Sequence, residues 1–63
     1  MNLYELARYT FKRIDEAGYD DYAMNHDEES TIRHIWKDDK DLATALANVM
    51  GMNEIIKELQ RKK

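Results

Sequence analysis

From Leu3 onward the apolar and small residues recur at intervals of three and four: Leu3, Leu6, Ala7, Thr10, Phe11, Ile14 and Ala17. Such spacing makes one stripe along a helix, leaving Tyr4, Arg8, Lys12 and Asp15 on the wetter side. Asn2 stands where a side chain can cap the first turn, and Gly18 stands where a left-handed residue can end the last one. The pattern predicts a helix over 3–17.

The next stretch, Gly18 to Asn25, mixes turn formers with Tyr19, Tyr22 and Met24 and leaves room for one helical turn capped by Asp20. Asn25 with Glu28 three residues later has the form of a capping box, which predicts a second helix over 26–37 with Ile32, Ile35 and Trp36 on its apolar face. The β-branched residues between Thr31 and Trp36 also suit a strand. A single short strand would find nothing in this chain to pair with, so helix is preferred.

Asp38 or Asp39 then caps a third helix, whose Leu42, Ala45, Val49, Met52, Ile56 and Leu59 alternate as the a and d positions of a heptad. The alternation passes through Gly51 without losing phase. A glycine inside a helix costs only about 1 kcal/mol relative to alanine. Retained phase therefore favours one helix over 40–62, with Gly51 as the place where it would break. The chain reads as a single all-α domain over 1–63, a small three-helix arrangement.

Length changes this picture by limiting the core. A chain of 63 residues buries only about 60% of the surface its unfolded form exposes. With no cysteine to supply a disulfide, a second subunit is the expected staple. The heptad positions Leu42, Val49, Met52, Ile56 and Leu59 are the expected self-association surface of a homodimer. The missing cysteines also fit a reducing compartment, and the start of the chain, with Glu5 early and no basic-then-apolar order, reads as mature protein from Met1. No apolar run approaches the roughly 18 residues of a membrane span. Cytoplasm is the expected location.

The net charge of −3 is unevenly placed. Residues 1–14 carry one acid and three bases, residues 15–41 ten acids and three bases, and residues 42–63 two acids and four bases. The acidic middle interleaves carboxylates with aromatic rings, and from it Asp20, Asp21, Tyr22, Asp27, Glu28, Glu29, Trp36, Asp38 and Asp39 are taken as the partner-binding set. Their expected counterpart is a protein with a basic surface, held by charge complementarity with the rings as anchors. The competing role for the same acids is helix capping and solubility.

Other chemistry finds little support. His26 beside Asp27, and His34 four residues before Asp38, fall short of the three or four ligands of a transition-metal site. Neither Asp20-Asp21 nor Asp38-Asp39-Lys40-Asp41 has the alternating oxygens and central glycine of a calcium loop. No cysteine nucleophile, glycine-rich phosphate loop or Gly-x-Ser-x-Gly is present, and Ser30 is the lone serine. A noncatalytic protein without cofactor or metal is expected.

Residues Leu42 to Ile56 resemble a helix-turn-helix, with Ala47 four residues before Gly51. That resemblance implies a dimeric DNA-binding regulator using residues 42–62. The chain departs from the motif where apolar residues should stand six and nine places after the glycine: Lys57 and Gln60 occupy those positions, with Ile56 and Leu59 one place early. Direct nucleic-acid binding also calls for a basic footprint, which an acidic chain lacks. In size, acidity and lack of a catalytic motif the chain looks like the small accessory proteins with which bacteriophages and mobile elements block host proteins, nuclease inhibitors among them. This likeness implies a regulator or inhibitor and rests on no motif.

Overall fold

Capping side chains set three of the helix starts, and left-handed glycines set two of the helix ends. In the computed structural model, which describes residues 2–61, the elements are α1 (Leu3–Ala17), α2 (Asp20–Asn25), α3 (Glu28–Trp36), α4 (Lys40–Met50) and α5 (Asn53–Arg61). No strand occurs among the described residues. The Asn2 side chain accepts the Glu5 amide at 2.8 Å and donates to the Glu5 carboxylate at 3.2 Å, so both partners hold the start of α1. Asp27 accepts the Ser30 amide at 2.8 Å at the start of α3, and Asp39 accepts the Leu42 amide at 3.0 Å at the start of α4.

Two expected caps are corrected here. Asn25 does not open the second helix; its amide donates to the Asp21 carbonyl at 2.8 Å and closes α2 instead. Asp20 lies inside the first turn of α2, with Tyr19 at the cap position.

The same device ends α1 and α4. At Gly18, φ is 82°, the Gly18 amide donates to Asp15 at 3.1 Å and the Tyr19 amide to Ile14 at 3.0 Å. At Gly51, φ is 69°, the Gly51 amide donates to Asn48 at 3.2 Å and the Met52 amide to Ala47 at 2.8 Å. Each is a Schellman closure around a left-handed glycine. One continuous helix over 40–62 is therefore replaced by α4 and α5. The heptad phase survives because both helices turn their apolar positions to one core, and phase across a two-residue turn carries no information about continuity. Residue 62, to which that helix was drawn, lies outside the described residues, as do Met1 and Lys63.

The core comprises Ile14, Ile32, Ile35, Leu42, Ala43, Leu46, Ala47, Ile55 and Ile56. Helix α4 is its hub, packed against α1, α3 and α5, and its fully buried Ala43 and Ala47 allow close helix approach. Tyr19, Trp36, Met52 and Leu59 cover the core from outside. An ion pair from Arg33 to Glu58, at 3.0 Å, ties α3 to α5. Both side chains remain partly exposed, so the pair contributes less than about 1 kcal/mol.

The N-terminal stripe is only partly used. Thr10 and Ile14 are the buried residues of α1, Leu6 and Ala7 are half-buried, and Ala17 is exposed. Leu3 and Phe11 are 65% and 47% exposed. With α3, α4 and α5 filling the core, α1 makes contact along part of its length. The heptad surface is also redistributed: Leu42 and Ile56 are buried within the chain, while Val49, Met52 and Leu59 stay half-buried. None of the described helices is long and apolar enough to cross a membrane.

Candidate functional site

The nine residues taken as a partner-binding set divide by what they already touch. Asp27 and Asp39 hold helix starts, and Asp39 also stands 3.8 Å from Arg13. The Ser30 amide holds the Asp27 carboxyl below its usual range. Glu29 pairs with Arg33 at 3.1 Å. Asp38 accepts the Tyr19 hydroxyl at 3.3 Å, and partial burial together with that carboxylate raises the Tyr19 phenol above its ordinary value. Trp36 lies against the core with Lys40 5.5 Å from its ring centre.

Tyr22 has a different fate. Its ring is stacked on His26 at 3.7 Å and on His34 at 3.9 Å, nearly parallel to both, so the two imidazoles cover its opposite faces. Tyr19 meets His34 edge-on at 5.8 Å, and His26 Nδ1 lies 2.9 Å from the Tyr22 carbonyl oxygen. These rings fasten the six-residue α2, too short to be stable alone, onto α3. Both histidines are occupied in this packing, and no group of three or more potential metal ligands converges among the described residues.

Asp20, Asp21 and Glu28 are left exposed, in the first turns of α2 and α3. Among the described residues none of them has an ion-pair partner, and the same holds for Asp15 near the end of α1. Asp15, Asp20 and Glu28 stand around one feature, a groove of about 360 Å³ between α1, α2, α3 and α4. Its floor is Ile14, Ala23, Thr31 and Leu46. Its apolar rim is Phe11, Met24 and Met50, which are 47%, 82% and 39% exposed.

Comparison with known proteins adds nothing to this geometry: no family model, curated protein or solved structure matches the chain.

Of the expected set, the groove brings together Asp20 and Glu28, with Asp21 adjacent to Asp20. Among the further lining residues that the sequence-based set omits are Phe11, Asp15, Met24, His26 and Met50. A signal for Met24 and Met50 is present in the sequence, since both are large apolar side chains at positions no predicted stripe requires. The spacing of Phe11 fits the inward stripe of α1, but helix periodicity does not tell how far along a helix the core extends. An apolar trough edged by carboxylates offers burial to an apolar group and attraction to cations beside it.

Proposed function

We propose that the chain is a noncatalytic protein-binding module, a small cytoplasmic regulator or inhibitor that meets a basic surface on another protein. The observation that carries this reading is the division of the acids. Asp27, Glu29, Asp38 and Asp39 are engaged within the fold, whereas Asp15, Asp20 and Glu28 face solvent around a groove with exposed apolar side chains, and Asp21 is exposed next to Asp20 in the chain. A role in blocking a host protein, as the small phage accessory proteins do, is consistent with a chain that masks a basic site by occupying it.

The test is affinity capture with the full chain and with a variant carrying Asp15→Asn, Asp20→Asn, Asp21→Asn and Glu28→Gln. These positions spare the capping aspartates, and far-ultraviolet circular dichroism checks that the helices persist. Recovery of one nuclease-resistant basic protein by the natural chain, lost in the variant, is the expected result. Undiminished capture by the variant would exclude the acidic face.

DNA binding through α4 and α5 is the second reading, and it is favoured by the turn at Gly51, which gives the order helix, turn, helix. The exposed face of α5 supports it less: Asn53, Glu54, Lys57, Glu58, Gln60 and Arg61 offer two acids for two bases. A mobility shift with a random duplex at low salt, weakening steeply as salt rises, would favour this reading. Val49, Met52 and Leu59 are what remains of the heptad surface for a homodimer. Light scattering tests that role, a dimer mass supporting it and a monomer mass removing it.

A further inference from the structure

We infer that the groove between α1, α2, α3 and α4 is a docking site for an amphipathic basic helix, seating its apolar face on Phe11, Met24 and Met50 while its lysines or arginines meet Asp15, Asp20 and Glu28. The inference rests on the reading of the chain as a binder of basic proteins and specifies what that partner presents. Three large apolar side chains surround one opening, and the described chain places nothing over them. An opening with apolar side chains on its rim lets an apolar group bury itself against several of them at once, and methionine is suited to this because an unbranched, polarizable side chain can repack around different partners.

Charge selects the occupant. The carboxylates flank the apolar surface from three of its helices, so an apolar ridge edged with cations fits and one edged with acids is repelled. A second copy of this chain is a poor occupant for that reason, because apposed grooves would bring the two acidic rims together. The α5 of a second copy does not serve either: its bases Lys57 and Arg61 are matched by Glu54 and Glu58, and its apolar residues Ile55 and Ile56 are already buried in its own core. A helix is the form of segment that presents apolar residues along one side at the spacing a groove between helices accepts, with cations on either flank.

The test uses the full chain labelled with carbon-13 at its methionine methyl groups. The probe is a monomeric synthetic helix with leucines at i, i+3, i+4 and i+7 and lysines elsewhere; the control is the same composition scrambled so that no stripe forms. Saturable shifts of the Met24 and Met50 resonances with the striped peptide, with Met52 unmoved in its core position, are expected. Met24→Ser, at a site exposed enough to leave the fold intact, and Phe11→Ser should each weaken binding about tenfold or more, the size of a hot-spot truncation.

Equal binding of striped and scrambled peptides, unaffected by Met24→Ser, would overturn the groove while leaving the basic-partner reading in place. Binding unchanged by Asp20→Asn with Glu28→Gln and by added salt would overturn the charge selection and assign the groove to uncharged apolar ligands. Absence of binding by either peptide would overturn the groove as a site for this class of helix, and the capture experiment then judges the wider reading independently.

Discussion

The two halves of this molecule use their apolar residues differently. Helices α3, α4 and α5 turn Ile32, Ile35, Leu42, Leu46, Ile55 and Ile56 inward, while α1 and α2 bury Thr10 and Ile14 and leave Leu3, Phe11 and Met24 facing water. In so short a chain the core is complete before every apolar side chain has been used. Of what remains, Phe11 and Met24 stand at the groove beside Asp15, Asp20 and Glu28, which have no ion-pair partner among the described residues. The C-terminal helices therefore supply most of the core, and α1 and α2 supply most of the exposed apolar side chains.

The sharpest way to break that contrast is to truncate one side chain in each half. Ile35→Ala, at a fully buried site, should cost about 2 to 5 kcal/mol, enough to unfold much of a marginal domain. Met24→Ala should stay within about 0.5 kcal/mol. Urea denaturation of both variants checks this, and similar losses at the two sites would erase the distinction.

Gly51→Ala comes next in size. In a continuous helix this change would stabilise the protein. At a φ of 69°, with nothing within 4 Å of an added Cβ, it should instead cost about 1 to 2 kcal/mol through backbone strain alone. The sign of the change in denaturation midpoint decides between the two.

Thr10→Val should act in the opposite direction. The Thr10 hydroxyl is buried without a hydrogen-bond partner among the described residues, so replacing it by a methyl group should gain about 1 kcal/mol. A loss in calorimetry would mean that the hydroxyl is bonded.

The smallest expected effect concerns acid. The Asp27 carboxyl is held below its usual range by the Ser30 amide. The folded state therefore favours its charged form, and the resulting stability is complete above the ordinary carboxylate range. It fades as pH falls through that range and is lost below the lowered folded value. Asp27→Asn keeps a capping oxygen without the titration and should flatten the acid limb of the stability profile. An unchanged limb would show that Asp27 does not contribute to it.

Much of the fold was legible because it follows local chemistry. Asn2 and Gly18 bracket α1 at the expected residues, Asp39 starts α4, and Ile32 and Ile35 form the inward face of α3. The break at Gly51 was not legible from periodicity, since α4 and α5 share a core and keep phase across their turn. Glycine conformation decides there, and spacing does not record it. Of the acidic set, Asp20, Asp21 and Glu28 emerge exposed and without an ion-pair partner among the described residues, while Asp27, Glu29 and Asp39 are drawn into local caps and an ion pair, and Asp38 meets Tyr19 only once the chain has folded. Phe11, Met24 and Met50 converge only once α2 is fastened by the Tyr22 stack, a contact that joins residues 22 and 34.

The partner proposed above seats on the groove between α1, α2, α3 and α4, and not on α5. Amide hydrogen exchange on the full chain, free and bound to the partner recovered by capture, tests it most directly. Slowed exchange across residues 11–28 with residues 53–61 unchanged is the predicted result, and protection confined to residues 53–61 would contradict it.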